Sequence, residues 1–415
     1  MDNLRSSNDV WLQQLAVHLE REKYDSGVVK NYTAAVNRFL KHLEKNRLDA
    51  EHVQSSDIEC YLSALRLSRR YRKPHCRKSN GLRRLHRSAI HMFMRVLHGQ
   101  WPIAMPPGSE RERLQRLVIA GYDGWMCDVR GLATQTRSDR LAEASRFLKW
   151  LTESGGKNAE DLKVTDIDAY LQSRAASVRR VSRKGIATKL RGFLRHLHFA
   201  GITARDLSTA VIGPTLYAYE GIPSALRAED VEKVLSVTQR DRSAKGRRDF
   251  AILTLLSSYG LRAGEITSLG LQDIDWKNSR LQVRHSKTGA QSTLPLLNGP
   301  GEAILDYLRD GRPRTELREL FIRSRAPYRP FACGSSLYTT IRRRLAAADI
   351  TPTGKKGPHA FRHARAVTML RSKVPLKLIG DVLGHRSTHS TGAYLKLATE
   401  DLRSVALEIP SEVRT

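Results

Sequence analysis

SYGLRAGEITSL, residues 258–269, follows an apolar run over 248–258 that reads as a buried helix. The run stops at Tyr259-Gly260, where glycine can take the positive φ that a tight reversal needs, and a second helix, RAGEITSLGL, begins at Arg262. Arg262 is thereby held at a helix start, and Glu265, three residues on, can reach back to the same face. A guanidinium clamped by a carboxylate is suited to bidentate binding of a phosphate. A purely structural Arg–Glu pair would leave the same trace, so the flanking sequence has to decide between them.

Downstream, SRLQVRHS (279–286) and STLPLL (292–297) alternate apolar and polar residues around Lys287-Thr288-Gly289-Ala290, the pattern of an antiparallel hairpin with Lys287 at its tip. PHAFRHARAVTML (358–370) starts a helix with Pro358 in its first turn. Its periodicity places His359 and Arg362 on one face while Phe361, Ala364 and Val367 seek the core, setting an imidazole that exchanges protons near neutral pH beside a second guanidinium. His359 and His363 also have the i,i+4 spacing of metal ligands. No glutamate follows His359, however, and Arg362 would put a fixed positive charge beside the ion, so no metal is expected. KLIGDVLGHRSTHSTGAYLKL (377–397) reads as an apolar helix closed by Gly384, then His385, a polar turn, and a new helix with Ser390 or Thr391 near its cap and Tyr394 in its first turn. A phenol with a pKa of about 10 needs a positive, proton-accepting environment to attack at neutral pH. Arg262, Lys287, His359, Arg362 and His385 supply the groups for one.

The whole chain agrees with a polyanionic partner. Its 71 Lys+Arg against 42 Asp+Glu give a net charge of +29 over 415 residues, which favours nucleic acid over an anionic membrane surface. No apolar run approaches the roughly 20 residues of a spanning helix, and MDNLRSSNDVWLQQ lacks a signal-peptide core, so a cytoplasmic, nucleoid-associated protein is expected. Cys60, Cys76, Cys127 and Cys333 are widely spaced, which indicates neither a disulfide framework nor a zinc site. The first half reads as a duplication: NRFLKHLEKNRLDAEHVQSSDIECYLSAL (37–65) parallels SRFLKWLTESGGKNAEDLKVTDIDAYLQSR (145–174). Each copy pairs a helix ending Phe-Leu-Lys-x-Leu with a second helix that carries Tyr-Leu and is capped near Ser56 or Thr165, then passes through a basic stretch into a last helix. The first stretch carries Arg69, Arg70, Arg72, Lys73, Arg77, Lys78, Arg83, Arg84 and Arg87; the second carries Arg174, Arg179, Arg180, Arg183, Lys184, Lys189, Arg191 and Arg195. Neither contains an acid, and phosphate neutralises such a run while counterions are released, so both are expected to contact DNA. WPIAMPPG (101–108) and GPTLYAYEGIP (213–223) read as linkers.

SYGLRAGEITSL, RHSKTGAQSTLPL, HAFRHARA and LGHRSTHSTGAYLKL occur in the order of the boxes of the phage integrase family, the tyrosine recombinases, and residues 222–415 resemble that family's catalytic domain. The resemblance implies a mainly α, multidomain protein with a mixed α+β catalytic domain that carries a small antiparallel sheet. The duplicated first half, read as two tandem helical SAM-like core-binding modules over 1–105 and 109–212, resembles the family's helical DNA-clamping domain less specifically and departs from its usual layout, in which one such module is common. It implies site-specific DNA cleavage and rejoining with Tyr394 as nucleophile, a 3′-phosphotyrosyl intermediate and no ATP, metal or other cofactor. By the same resemblance Arg262 and Arg362 clamp the phosphate, Lys287 protonates the leaving 5′-oxygen and His359 is the base or relay. His385 is a further donor, and Glu265 orients Arg262. Implied partners are double-stranded DNA and other copies of the chain, a tetramer on two duplexes, with the tail residues Leu402, Val405, Ala406 and Ile409 as a docking helix. Integration or excision of a mobile element is the expected role. Type IB topoisomerase activity and a non-catalytic DNA-binding protein are the alternatives.

Overall fold

The computed structural model describes residues 2–65, 77–102, 107–217, 225–285, 289–352 and 354–384. Lys287, His385 and Tyr394, the basic residues Arg69, Arg70, Arg72 and Lys73, Cys76 and the tail positions 402–409 lie outside the described residues. The chain separates into two compact units, residues 1–102 together with 221–415, and residues 103–220.

Residues 2–98 form four helices, α1 (Asp2–Arg21), α2 (Ser26–Lys45), α3 (Ser55–Ala64) and α4 (Arg77–His98). Residues 110–199 repeat the arrangement with α5 (Glu110–Gly124), α6 (Thr134–Gly155), α7 (Val164–Ala175) and α8 (Arg180–Phe199). The duplicated letters occupy duplicated places. Phe39 meets Tyr61 edge-on at 5.1 Å between ring centroids, and Phe147 meets Tyr170 in the same way at 4.9 Å. All four rings are buried, as are Phe93 and Phe193 on the last helix of each copy. Burial of each such side chain contributes about 1.5–3 kcal/mol. The polar partner of the repeated tyrosine differs. The Tyr61 hydroxyl lies 2.9 Å from His86 Nδ1, whereas Tyr170 donates to Glu143 Oε1 at 2.6 Å.

Three details depart from the sequence expectation. The Tyr-Leu helix of each repeat, α3 or α7, is capped at Gln54 or Lys163, two residues ahead of Ser56 and Thr165. The carboxylates of Asp57 and Asp166 accept the cap N–H groups at 2.9 and 3.0 Å, so the aspartate rather than the hydroxyl sets the start. The basic stretch is also not a separate segment before a last helix in the second copy, since α8 runs unbroken from Arg180; lysine and arginine are good helix formers. Trp101, at the start of the first linker, is buried in the core of the first repeat and stacks on His98.

The remaining elements are α9 (Ala228–Gln239), α10 (Ala244–Tyr259), α11 (Ala263–Thr267), β1 (Ile274–Asp275), β2 (Arg280–Arg284), β3 (Gln291–Pro295), α12 (Asn298–Asp310), α13 (Ser336–Ala347), α14 (Pro358–Arg371) and α15 (Leu376–Leu383). Ile252, Leu253, Leu255 and Leu256 of α10 are wholly buried, because this helix is apolar on nearly every side and the others pack around it. The sheet is antiparallel in the order β1-β2-β3, with Leu281 opposite Leu294 and Val283 opposite Ser292. Leu281 and Val283 face the core while their neighbours face out. α11 is shorter than the predicted RAGEITSLGL. Its backbone turns away because Asp273 accepts the Gly270 N–H at 2.8 Å and Leu271 N–H donates to Arg318 O at 2.8 Å. Among the described residues no helix is long and apolar enough to cross a membrane.

Candidate active site

Arg262 is the N-cap of α11, two residues beyond the reversal at Gly260. Arginine has no acceptor, so the cap is made from the other side: Glu265 Oε2 accepts the Arg262 N–H at 2.7 Å. The same carboxylate fixes the side chain through Oε1, which accepts from Arg262 Nη1 at 2.7 Å, and Arg262 Nη2 donates to Gly384 O at 2.9 Å. The guanidinium is thus held at two points and still keeps 17% of its side-chain surface open. Glu265 is fully enclosed. Burial alone would raise its pKa, but the bonds from His285, the Arg262 N–H and the Arg262 guanidinium outweigh burial and hold the carboxyl below its usual value.

Arg362 comes from α14 and is only 3% exposed. Its Nη1 donates to Gly260 O at 2.8 Å and its Nη2 to Leu383 O. Two arginines a hundred positions apart are therefore fastened to successive carbonyls, those of Leu383 and Gly384, at the end of α15. The glycines that end α10 and α15 make this possible. Gly260 and Gly384 have φ of +65° and +62°, and a Cβ at 260 would stand 2.7 Å from Leu383 Cδ2, while one at 384 would stand 2.6 Å from His285 Cε1. No other residue supplies both the left-handed backbone and the room.

The structure brings Arg262, Glu265 and Arg362 together. It also turns Arg362 into the core rather than leaving it beside His359 on an open face, and His359 is exposed. The Lys355 ammonium lies 3.3 Å from His363 Nε2. Sequence reasoning missed His285, which is buried with Nδ1 2.8 Å from Glu265 Oε1 and Nε2 2.8 Å from Ser292 Oγ. The signal was present: His285 is two residues beyond Val283, so strand alternation already put it on the buried face.

On the helical repeats Arg83 and Arg84 are exposed on α4, as are Arg179, Arg180, Arg183 and Lys184 at the start of α8. Arg77 and Lys78 stand in the first turn of α4, with side chains outside the described residues. Lys189 and Arg191 are half-buried, and the Arg191 fork is used internally, donating to Val211 O at 3.1 and 2.8 Å. The basic runs are not free of acids in space, since Glu59 pairs with Arg87 at 2.6 Å and Glu143 lies 3.6 Å from Arg174.

Residues 224–401 match the phage integrase family. A Sinorhizobium fredii protein named as an integrase/recombinase is 55% identical over 189 residues, spanning 46% of this chain and 97% of the relative. The chain belongs to the phage integrase family. A second integrase/recombinase of Sinorhizobium fredii is 28% identical over 401 residues, 96% of this chain and 91% of the relative, so the likeness to integrases runs through the helical repeats as well. The solved structure of a lambda integrase tetramer bound to a Holliday junction shares the fold, at 17% identity and a TM-score of 0.53 over 74% of this chain and 85% of that one. The integrase fold is thus carried by a chain with two helical repeats ahead of the candidate active site.

Proposed function

We propose that this integrase is a tyrosine site-specific recombinase that cleaves and rejoins double-stranded DNA for the integration or excision of a mobile element. The observation that carries the reading is the pair of guanidiniums, Arg262 and Arg362, anchored on the consecutive carbonyls of Leu383 and Gly384, immediately before His385 in the chain. Groups fixed before the substrate arrives stabilise developing charge without reorganising, the largest electrostatic term available to phosphoryl transfer. In this reading Tyr394 attacks the scissile phosphate in line, forming a 3′-phosphotyrosyl bond as the bond to the 5′-oxygen breaks. Lys287 gives that oxygen its proton, His359 takes or relays the proton of the phenol, and His385 adds a donor to the phosphate. The freed 5′-hydroxyl of one strand then attacks the phosphotyrosine of its partner, so the bond energy is conserved and neither ATP nor metal is consumed.

The domain assignment proposed with it is a helical module over 1–105, a second over 109–212 and a catalytic domain over 222–415. The exposed cations of α4 and α8 suit phosphate contact by the two modules. A tetramer on two duplexes, working on nucleoid DNA in the cytoplasm, accords with the lambda integrase tetramer on a Holliday junction. The test is a nicked suicide substrate incubated in EDTA, where a covalent protein–DNA adduct is expected from the wild type and none from Tyr394→Phe. An adduct that survives the substitution would sink the mechanism.

A further inference from the structure

His285 stands where three parts of the site meet. Its main chain pairs with the start of the strand opposite: His285 N–H donates to Ala290 O at 2.8 Å and Gly289 N–H donates to His285 O at 2.8 Å. Its ring lies under the turn that ends α15, so close that a Cβ on Gly384 would stand 2.6 to 2.9 Å from three ring atoms. Its Nδ1 is 2.8 Å from Glu265 Oε1, the oxygen that also accepts from Arg262 Nη1. An ionised carboxylate only accepts, so Nδ1 carries a proton, and Nε2 lies 2.8 Å from the Ser292 hydroxyl, which can donate or accept. The carboxylate of Glu265 therefore fixes the ring's orientation from one side, and Ser292, opposite Val283 on the neighbouring strand, meets it from the other.

We propose that His285 is a positioning residue for DNA cleavage, setting Glu265 and through it Arg262, and seating the Gly384 carbonyl that Arg262 binds. The proposal rests on the recombinase reading above. The physical basis is that Glu265 is buried with 0% of its side-chain surface open, so its orientation is decided by its hydrogen-bond donors, and among the described residues His285 is the one that does not belong to Arg262. Loss of that donor frees the carboxylate to rotate with the guanidinium, and the packing under Gly384 that fixes the second anchor of Arg262 goes with it. Misplacement of a charged group by about 1 Å costs roughly 10²-fold in rate.

The experiment compares wild type, His285→Ala and His285→Asn in single-turnover cleavage of the nicked suicide substrate, with DNA affinity and melting temperature measured on the same preparations. Asparagine keeps a donor near the position of Nδ1 and cannot titrate. His285→Ala is expected to cleave roughly 10²-fold more slowly while binding DNA within about threefold of wild type, and His285→Asn to recover at least about tenfold of the loss. A cleavage rate unchanged in His285→Ala overturns the proposal. So does a rate lost only in proportion to DNA affinity or folded fraction, or an asparagine variant no faster than alanine. If the wild type itself forms no adduct, the recombinase reading fails and the assignment falls with it, an outcome the wild-type lane separates from the other three.

Discussion

Arginine is treated in opposite ways in two regions of this molecule. Around the ends of α10, α14 and α15 the guanidiniums of Arg262 and Arg362 are withdrawn from water and tied to carbonyl and carboxylate oxygens at fixed points. Along α4 and α8 Arg83, Arg84, Arg179 and Lys184 stand exposed. Exposed cations bind phosphate wherever it lies, release its counterions and give affinity that depends on salt, whereas a fixed fork gives its full field only to charge at one place. The difference teaches that net charge and chemistry are separable here: in the proposed mechanism the helical repeats attract the polymer, and the buried pair selects one phosphate.

The sharpest way to break this contrast is Arg362→Lys. Lysine keeps the charge, but its single ammonium cannot bridge Gly260 O and Leu383 O as the planar fork does. Single-turnover cleavage is expected to fall by about 10³-fold, and a rate near wild type would show that charge alone suffices. Next comes Glu265→Gln, in which an amide nitrogen replaces an oxygen among donors from Arg262 and His285. A loss of roughly 10²-fold in cleavage is expected. The same variant tests the carboxylate through pH. Because the folded pKa of Glu265 is depressed, its contribution to stability is present above the unfolded value of about 4.3 and is lost as pH falls through the lower folded value. The stability gap between wild type and Glu265→Gln, measured by denaturant unfolding, should therefore close as the pH drops below about 4.3. The smallest effect belongs to the exposed cations. Replacing Arg83, Arg84, Arg179 and Lys184 by alanine should make the slope of log K against log salt shallower by about 0.9 for each phosphate the variant no longer neutralises, and the defect should show in Kd rather than in the cleavage rate of bound complex. An unchanged salt slope would remove these residues from the DNA interface.

Much of the fold was legible because its signals are local. The turn glycines 260 and 384, the Arg262–Glu265 spacing, the β2–β3 alternation and the Phe…Tyr repeat of the helical modules each depend on neighbours close by in the chain. What was not legible depends on partners far along the chain. α11 ends early in part because Leu271 pairs with Arg318, and Arg87 meets Glu59 from another helix. His285 lies inside the hairpin motif, yet its value comes from Glu265 twenty residues earlier and from Gly384, far toward the C terminus.

The sequence by itself determined which chemical groups this integrase owns, where its helices and hairpin break, and that its charge suits DNA. Only the tertiary structure decided which arginines are fixed and to what. Their anchors include the carbonyls of Gly260, Leu383 and Gly384, and a carbonyl is the same group in every residue, so no letter marks it as an acceptor. Its direction is set by the left-handed turns at the two glycines and by the packing of α14 and α15, and the fold alone makes three main-chain oxygens into the seat of two guanidiniums.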